Sequence, residues 1–224
     1  MPSATQRLLS SNPRRGSEMA TASGRDERSG MNPPERRTQW MEPGEEADRL
    51  RESQMGSTAA FGQIVRGYQR AIHRVAYAVT RSAGDADDVT QETFMRAWQA
   101  IGRFRVGEPL YPWLARIAMN ASFSLLRRRK RRPEVALEPM IEGGAQWAGG
   151  DDPVEEAAAS ERDERLAGAY AALSEEHRAV LALRVVEDLS YDDIARTLGV
   201  PVGTVMSRLS RARAELKSRM RQTG

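Results

Sequence analysis

Residues 198–216 read LGVPVGTVMSRLSRARAEL, and two helix breakers stand almost side by side at their start. Gly199 supplies the left-handed conformation that closes a helix, and Pro201 prevents the chain from resuming in the same direction. Apolar residues recur at helical spacing on both sides of this break, Ile194, Ala195 and Leu198 before it and Val205 and Leu209 after it. Ser190 opens the first helix with Asp193 three residues on, an acidic variant of the capping box. Two helices must therefore meet at an angle, with the small Ala195 allowing close approach. This is a helix-turn-helix, the unit whose second helix fits the major groove of duplex DNA. That second helix exposes Thr204, Met206, Ser207, Arg208, Arg211 and Arg213. Hydroxyl and guanidinium groups bind phosphates and base edges, and Arg is well matched to guanine.

The rest of the chain is also patterned for helices. Phe61, Ile64, Val65, Tyr68, Ile72, Val75, Ala76 and Val79 recur at spacings of three and four. The polar run SAGDADD interrupts them, with Asp85 placed to cap the next helix, over roughly 86–101. That helix buries Val89, Phe94, Ala97, Trp98 and Ile101 and turns Asp88, Gln91, Glu92, Met95 and Gln99 outward. A third helix starts near Pro112 and leads into the run RRRKRR, which Pro133 ends. Ser174 caps a further helix, with Glu175 and Glu176 in its positively polarised first turn. No stretch sustains strand alternation. The fold class read from this pattern is all-α, with two small helical domains joined by a flexible acidic linker and the helix-turn-helix in the second.

Composition sets the boundaries. Residues 1–57 carry nine basic and nine acidic groups with no apolar periodicity, so they are read as a disordered extension. A chain starting at Met55 is expected to keep its function. Residues 58–132 form the first domain, 133–160 the Gly- and Pro-rich linker, and 161–224 the second domain. The formal net charge is only +3, but RRRKRR and the six basic residues between Met206 and Arg221 flank an acidic connector. Two basic blocks suit two contacts with a polyanion.

Several functions are excluded. The chain has no Cys and only two His, far apart at His73 and His177, so disulfides and thiolate metal sites are ruled out and no metal or cofactor is expected. Asp87 and Asp88 make a poor joint metal site, because adjacent helical side chains diverge by about 100°. No nucleophile arrangement or phosphate-cradling Gly loop is present, so the chain is not read as an enzyme. No apolar run reaches the ~18–20 residues that span a bilayer, and a cytoplasmic location is expected.

Three motifs in order, DADDVTQETFMRAWQAIGRFR, WLARIAMNASFSLLRRRKRR and LSYDDIARTLGVPVGTVMSRLSRAR, resemble the extracytoplasmic-function (ECF) group of bacterial RNA polymerase sigma factors. The resemblance covers about Phe61–Arg132 and Leu166–Met220. It implies core RNA polymerase and promoter DNA as partners, and an anti-sigma protein as a third partner in many members. The first motif resembles the region docking on core polymerase, which gives that role to Asp88, Gln91, Glu92 and Met95. The second resembles the region that melts and reads the minus-ten element. There a flipped base enters a pocket made by a loop around an Asn, matched by Asn120, with Ala121, Ser122 and Phe123 in or beside the loop and Arg127 and Arg128 tracking phosphates. Trp113 occupies a Trp position of that motif and is assigned to packing. The third resembles the reader of the minus-thirty-five element, although Met206 stands where some members carry Arg. The alternative is a stand-alone helix-turn-helix regulator that acts without polymerase.

Overall fold

The computed structural model describes residues 41–131 and 153–222. Residues 1–40 of the expected extension, Arg132 at the end of the expected first domain and 133–152 of the expected linker lie outside them. Helices α1 (Pro43–Gln54), α2 (Thr58–Thr80), α3 (Ala83–Ala100) and α4 (Leu110–Arg131) form the first half. Helices α5 (Pro153–Ala171), α6 (Glu175–Leu181), α7 (Tyr191–Leu198) and α8 (Val202–Gln222) form the second. No strand occurs among the described residues.

The stripe read from the sequence is the core side of α2. Ile64, Tyr68, Ile72, Val75 and Val79 are buried there against α3 and α4. Ser57 caps α2 by accepting from the Ala60 amide at 3.2 Å. The α3 cap is Ser82, whose hydroxyl accepts from the Asp85 amide at 3.3 Å. This corrects the assignment of that cap to Asp85 and moves the start of α3 to Ala83. A capping acceptor must stand just before the first turn, and Ser82 already stood there. Asp85 is instead buried and paired with Arg129 of α4 at 2.5 Å.

Two domain boundaries also shift. Residues 43–54, expected to be disordered, form α1. Leu50 and Ser53 on its inner face are buried. Its last residue, Gln54, donates through Nε2 to the carbonyls of Ile101 (3.0 Å) and Phe104 (2.7 Å). A single apolar residue was too weak a periodic signal, yet α2 and the turn after α3 supply the surface that orders it. The expected linker shortens too, because α5 starts at Pro153 rather than after residue 160.

In the second half α8 packs on α5, α6 and α7. Between α6 and α7, residues Ala182–Val186 form a π turn, and Asp188 takes a left-handed φ of 51°. The halves touch directly, α7 lying on α4 and α6 on α2.

Candidate nucleic-acid and polymerase interface

The turn of the helix-turn-helix forms as its residues dictate. Ser190 accepts from the Asp193 amide at 3.1 Å and donates to Asp193 Oδ2 at 2.6 Å, which starts α7. Gly199 ends α7 with φ 66°, a conformation that would strain any residue with a Cβ. The Pro201 carbonyl then accepts from the amides of Thr204 (2.9 Å) and Val205 (3.2 Å) and launches α8. Val205, Leu209, Ala212 and Leu216 form the buried line of α8.

At 100° per residue, the outward residues of α8 divide into two flanks. Thr204, Ser207, Arg208 and Arg211 make one strip, in which Arg211 is exposed and the other three are half-buried. Met206, about half exposed, and Arg213 share a line on the other flank. The Ser207 hydroxyl donates to the Thr204 carbonyl at 3.0 Å, which fixes its direction within the strip. This strip combines donors with fixed positive charge, the requirement for reading duplex edges and phosphates.

On α3, Asp88, Gln91, Glu92 and Met95 are spaced so that one face carries all four. Asp88 and Gln91 are exposed, Met95 is 58% exposed, and Glu92 is held by Arg96 at 2.5 Å. Gln91 and Met95 also line an open groove of about 500 Å³, floored by Phe61, Phe94 and Trp98. The Phe61 and Trp98 rings stand 5.0 Å apart beneath it. An apolar floor ringed by amide and carboxylate groups is suited to a protein partner rather than to a polyanion.

The α4 site differs from expectation. Asn120, Ala121, Ser122 and Phe123 do not lie in or beside a loop, because α4 runs unbroken from Leu110 to Arg131. Asn120 is exposed, but Ala121 and Ser122 are buried, and Ser122 returns its hydroxyl to the Ala118 carbonyl at 2.9 Å. Phe123 is half-buried against the core. The apolar spacing Leu114, Ala118, Ala121 already placed Ala121 on the inner face, and a loop cannot form where every backbone amide has a helical partner. Exposed Arg116 sits one turn before Asn120 on the same side, a residue the sequence reading passed over although i, i+4 spacing marks it. Trp113 packs against Phe104 with ring centroids 4.9 Å apart, in keeping with its assignment to packing.

Within the basic run, residues 127–131 are exposed. Arg129 is engaged by Asp85 and Lys130 by Glu175 at 2.7 Å, which leaves Arg127, Arg128 and Arg131 the more available of its described members. Arg127 reaches Ser124 at 3.1 Å.

Residues 64–132 match the family model for sigma-70 region 2, and residues 163–216 match the model for sigma-70 region 4. The RNA polymerase sigma-H factor of Pseudomonas aeruginosa is 38% identical over 71% of this chain and 86% of its own length. The ECF RNA polymerase sigma-E factor of Escherichia coli is 34% identical over 75% of this chain and 90% of its own. This chain belongs to the ECF group of RNA polymerase sigma factors. A solved relative, the sigma factor RpoE in complex with the anti-sigma factor NepR from Bartonella quintana, is 28% identical over 72% of this chain and 96% of its own, with a TM-score of 0.58. The structure of CnrH in complex with the cytosolic domain of CnrY shares the fold at 24% identity, covering 80% of this chain and 99% of that one, with a TM-score of 0.58. In this ECF chain no described helix is long and apolar enough to cross a membrane. Among the described residues there is also no group of three potential metal ligands.

Proposed function

We propose that this ECF sigma factor binds core RNA polymerase and directs initiation at promoters through two separate DNA contacts. The observation that carries the reading is the coexistence, in one chain, of an outward basic strip on a helix-turn-helix and a mixed apolar and acidic face on α3. The α3 face of Asp88, Gln91, Glu92 and Met95 docks on the polymerase. Thr204, Ser207, Arg208 and Arg211 read the minus-thirty-five element as duplex, with Met206 and Arg213 flanking them.

Asn120 serves the minus-ten element once its strands part, with Arg116 beside it and Arg127 and Arg128 on phosphates. Extruding a base costs a few kcal/mol of stacking. Hydrogen bonds from Asn and cationic groups along the freed strand offset that cost. The phosphate contacts make the affinity fall with salt. Ala121 and Ser122 support this surface from within α4 rather than touching DNA. The chain performs no catalytic step, and bond formation belongs to the polymerase. An anti-sigma protein is a fitting third partner, since one solved relative carries such a partner.

The test is transcription reconstituted from the purified chain, core polymerase and genomic fragments. Discrete promoter-dependent transcripts that need both proteins support the reading. Tight binding to one operator without core enzyme, and no transcript with it, would instead indicate a stand-alone regulator.

A further inference from the structure

The helix proposed to read duplex carries one long apolar side chain on its open side. Val205, Leu209, Ala212 and Leu216 are buried, so the opposite side of α8 faces away from the core. Met206 stands in the second turn of α8 and is 54% exposed. Of the exposed large apolar side chains among the described residues, it is the one that lies on the helix-turn-helix. The fold gains nothing from an apolar group left in water, whereas covering it on binding is favourable.

The surface beside Met206 is shaped for close approach. Gly203, Ser210 and Ala214 are also exposed. At 100° per residue they run down the middle of the open side, with Met206 on one flank and Arg211 on the other. Gly203 does not take a positive φ, and a Cβ added there would meet nothing within 4 Å. Neither its backbone nor the chain's own packing calls for glycine, although glycine is the poorest helix former after proline. A surface from outside that comes close to the first turn of α8 accounts for it. Small residues along the middle let the helix sit deep in a groove, where the long side chains on either flank reach base edges.

The two flanks differ in what they can recognise. Arg211 offers donors, which match the acceptor edge of guanine. Met206 has no donor, and its thioether sulfur is only a weak acceptor. It therefore suits an apolar feature, and the apolar feature of the major-groove edge is the 5-methyl group of thymine. An unbranched, polarizable side chain adapts readily to such a target. A protein surface could also cover a methionine, but charged groups are depleted around the apolar centre of protein interfaces. Met206 instead shares its side of the helix with Arg213 and is followed by Ser207 and Arg208.

Resting on the duplex-reading role proposed for α8, we infer that Met206 determines specificity by packing on the 5-methyl group of one thymine in the minus-thirty-five element. The test uses the full chain with core polymerase on a promoter found by the reconstituted transcription. Each thymine of that element, on either strand, is replaced in turn by deoxyuridine, which removes the methyl group and nothing else. One replacement is expected to weaken wild-type binding about fourfold, equivalent to about 0.8 kcal/mol for one buried carbon. In Met206→Ala the same replacement should make no difference. Met206→Leu, which keeps an apolar side chain, should retain the response. Met206→Arg should prefer a G·C pair over the A·T pair at that position. Helicity by circular dichroism should be unchanged in all three, since the site is exposed. A wild-type chain indifferent to every thymine methyl, or a methyl response that persists in Met206→Ala, would overturn the inference. So would a Met206→Ala defect in core binding with the deoxyuridine response intact, which would assign the side chain to the polymerase. If the chain binds no core polymerase, the polymerase reading falls, and the same scan on duplexes selected from a random pool by the chain alone decides the role of Met206.

Discussion

Replacing Leu50 with Ala tests whether α1 belongs to the folded body. Leu50 is 1% exposed and anchors α1, a helix the sequence pattern did not announce. Buried Leu→Ala substitutions cost about 2–5 kcal/mol, the lower values where the site can collapse. A short terminal helix can partly settle into the space, so about 2–3 kcal/mol is expected here. For a domain of this size that corresponds to a fall in Tm of roughly 5–10 °C. Denaturant unfolding followed by circular dichroism measures the difference, with the exposed Met55→Ala as the control. The Gln54→Ala variant should add a smaller loss of about 1 kcal/mol, since its two bonds to the Ile101 and Phe104 carbonyls disappear. Removing residues 1–54 should cost more stability than either, because it takes away the whole of α1. A Leu50→Ala change below about 0.5 kcal/mol, the size typical of surface positions, would show that α1 does not pack as described.

Asp88→Arg combined with Glu92→Arg should weaken pull-down of core polymerase at unchanged helicity, each change costing about 0.5 kcal/mol of stability or less because both groups face solvent. Unchanged pull-down would remove the docking role from α3. High pH should destabilise the fold through its buried tyrosines. The Tyr68, Tyr111 and Tyr170 hydroxyls are all pushed up chiefly by burial, and Glu46 adds to the effect at Tyr68. Phenols of the unfolded chain ionise near pH 10, so the stabilisation is complete below that pH and is lost as pH rises through the higher folded values. The slope should be about 1.4 kcal/mol per pH unit for each tyrosine. Phenolate absorbance should rise together with loss of helicity. Ionisation of all five tyrosines near pH 10 with helicity intact would contradict this.

Legibility in the sequence followed the strength of the local signal. Gly199 and Pro201 leave little choice of backbone, and the bent pair stands where they dictate. The α2 stripe and the outward α3 face were equally plain, because many apolar positions agree on one period. The α1 helix was hidden because one leucine carries its burial and its order depends on surfaces distant in sequence. The α4 site misled for another reason. The motif match placed a loop at Asn120, although Leu114, Ala118 and Ala121 kept strict helical spacing through it. Arg74, Glu187 and Arg178 gave no local signal at all. Their partners, Arg74 with Glu187 and Arg178 with the Val79 carbonyl, come from the other half of the chain and lie far away in sequence.

The division of labour between α8 and α4 is tested most directly by comparing Arg211→Ala and Asn120→Ala on closed and premelted promoter templates, with permanganate reporting unpaired thymines. Arg211→Ala should weaken initial promoter binding by the roughly 1–3 kcal/mol of a base contact on either template. Asn120→Ala should bind the closed promoter nearly as well as wild type yet lose permanganate reactivity. A template mismatched across the minus-ten element should restore part of that loss and none of the Arg211 defect. Equal rescue of both variants, or rescue of neither, would contradict the assignment of duplex reading to α8 and strand opening to α4.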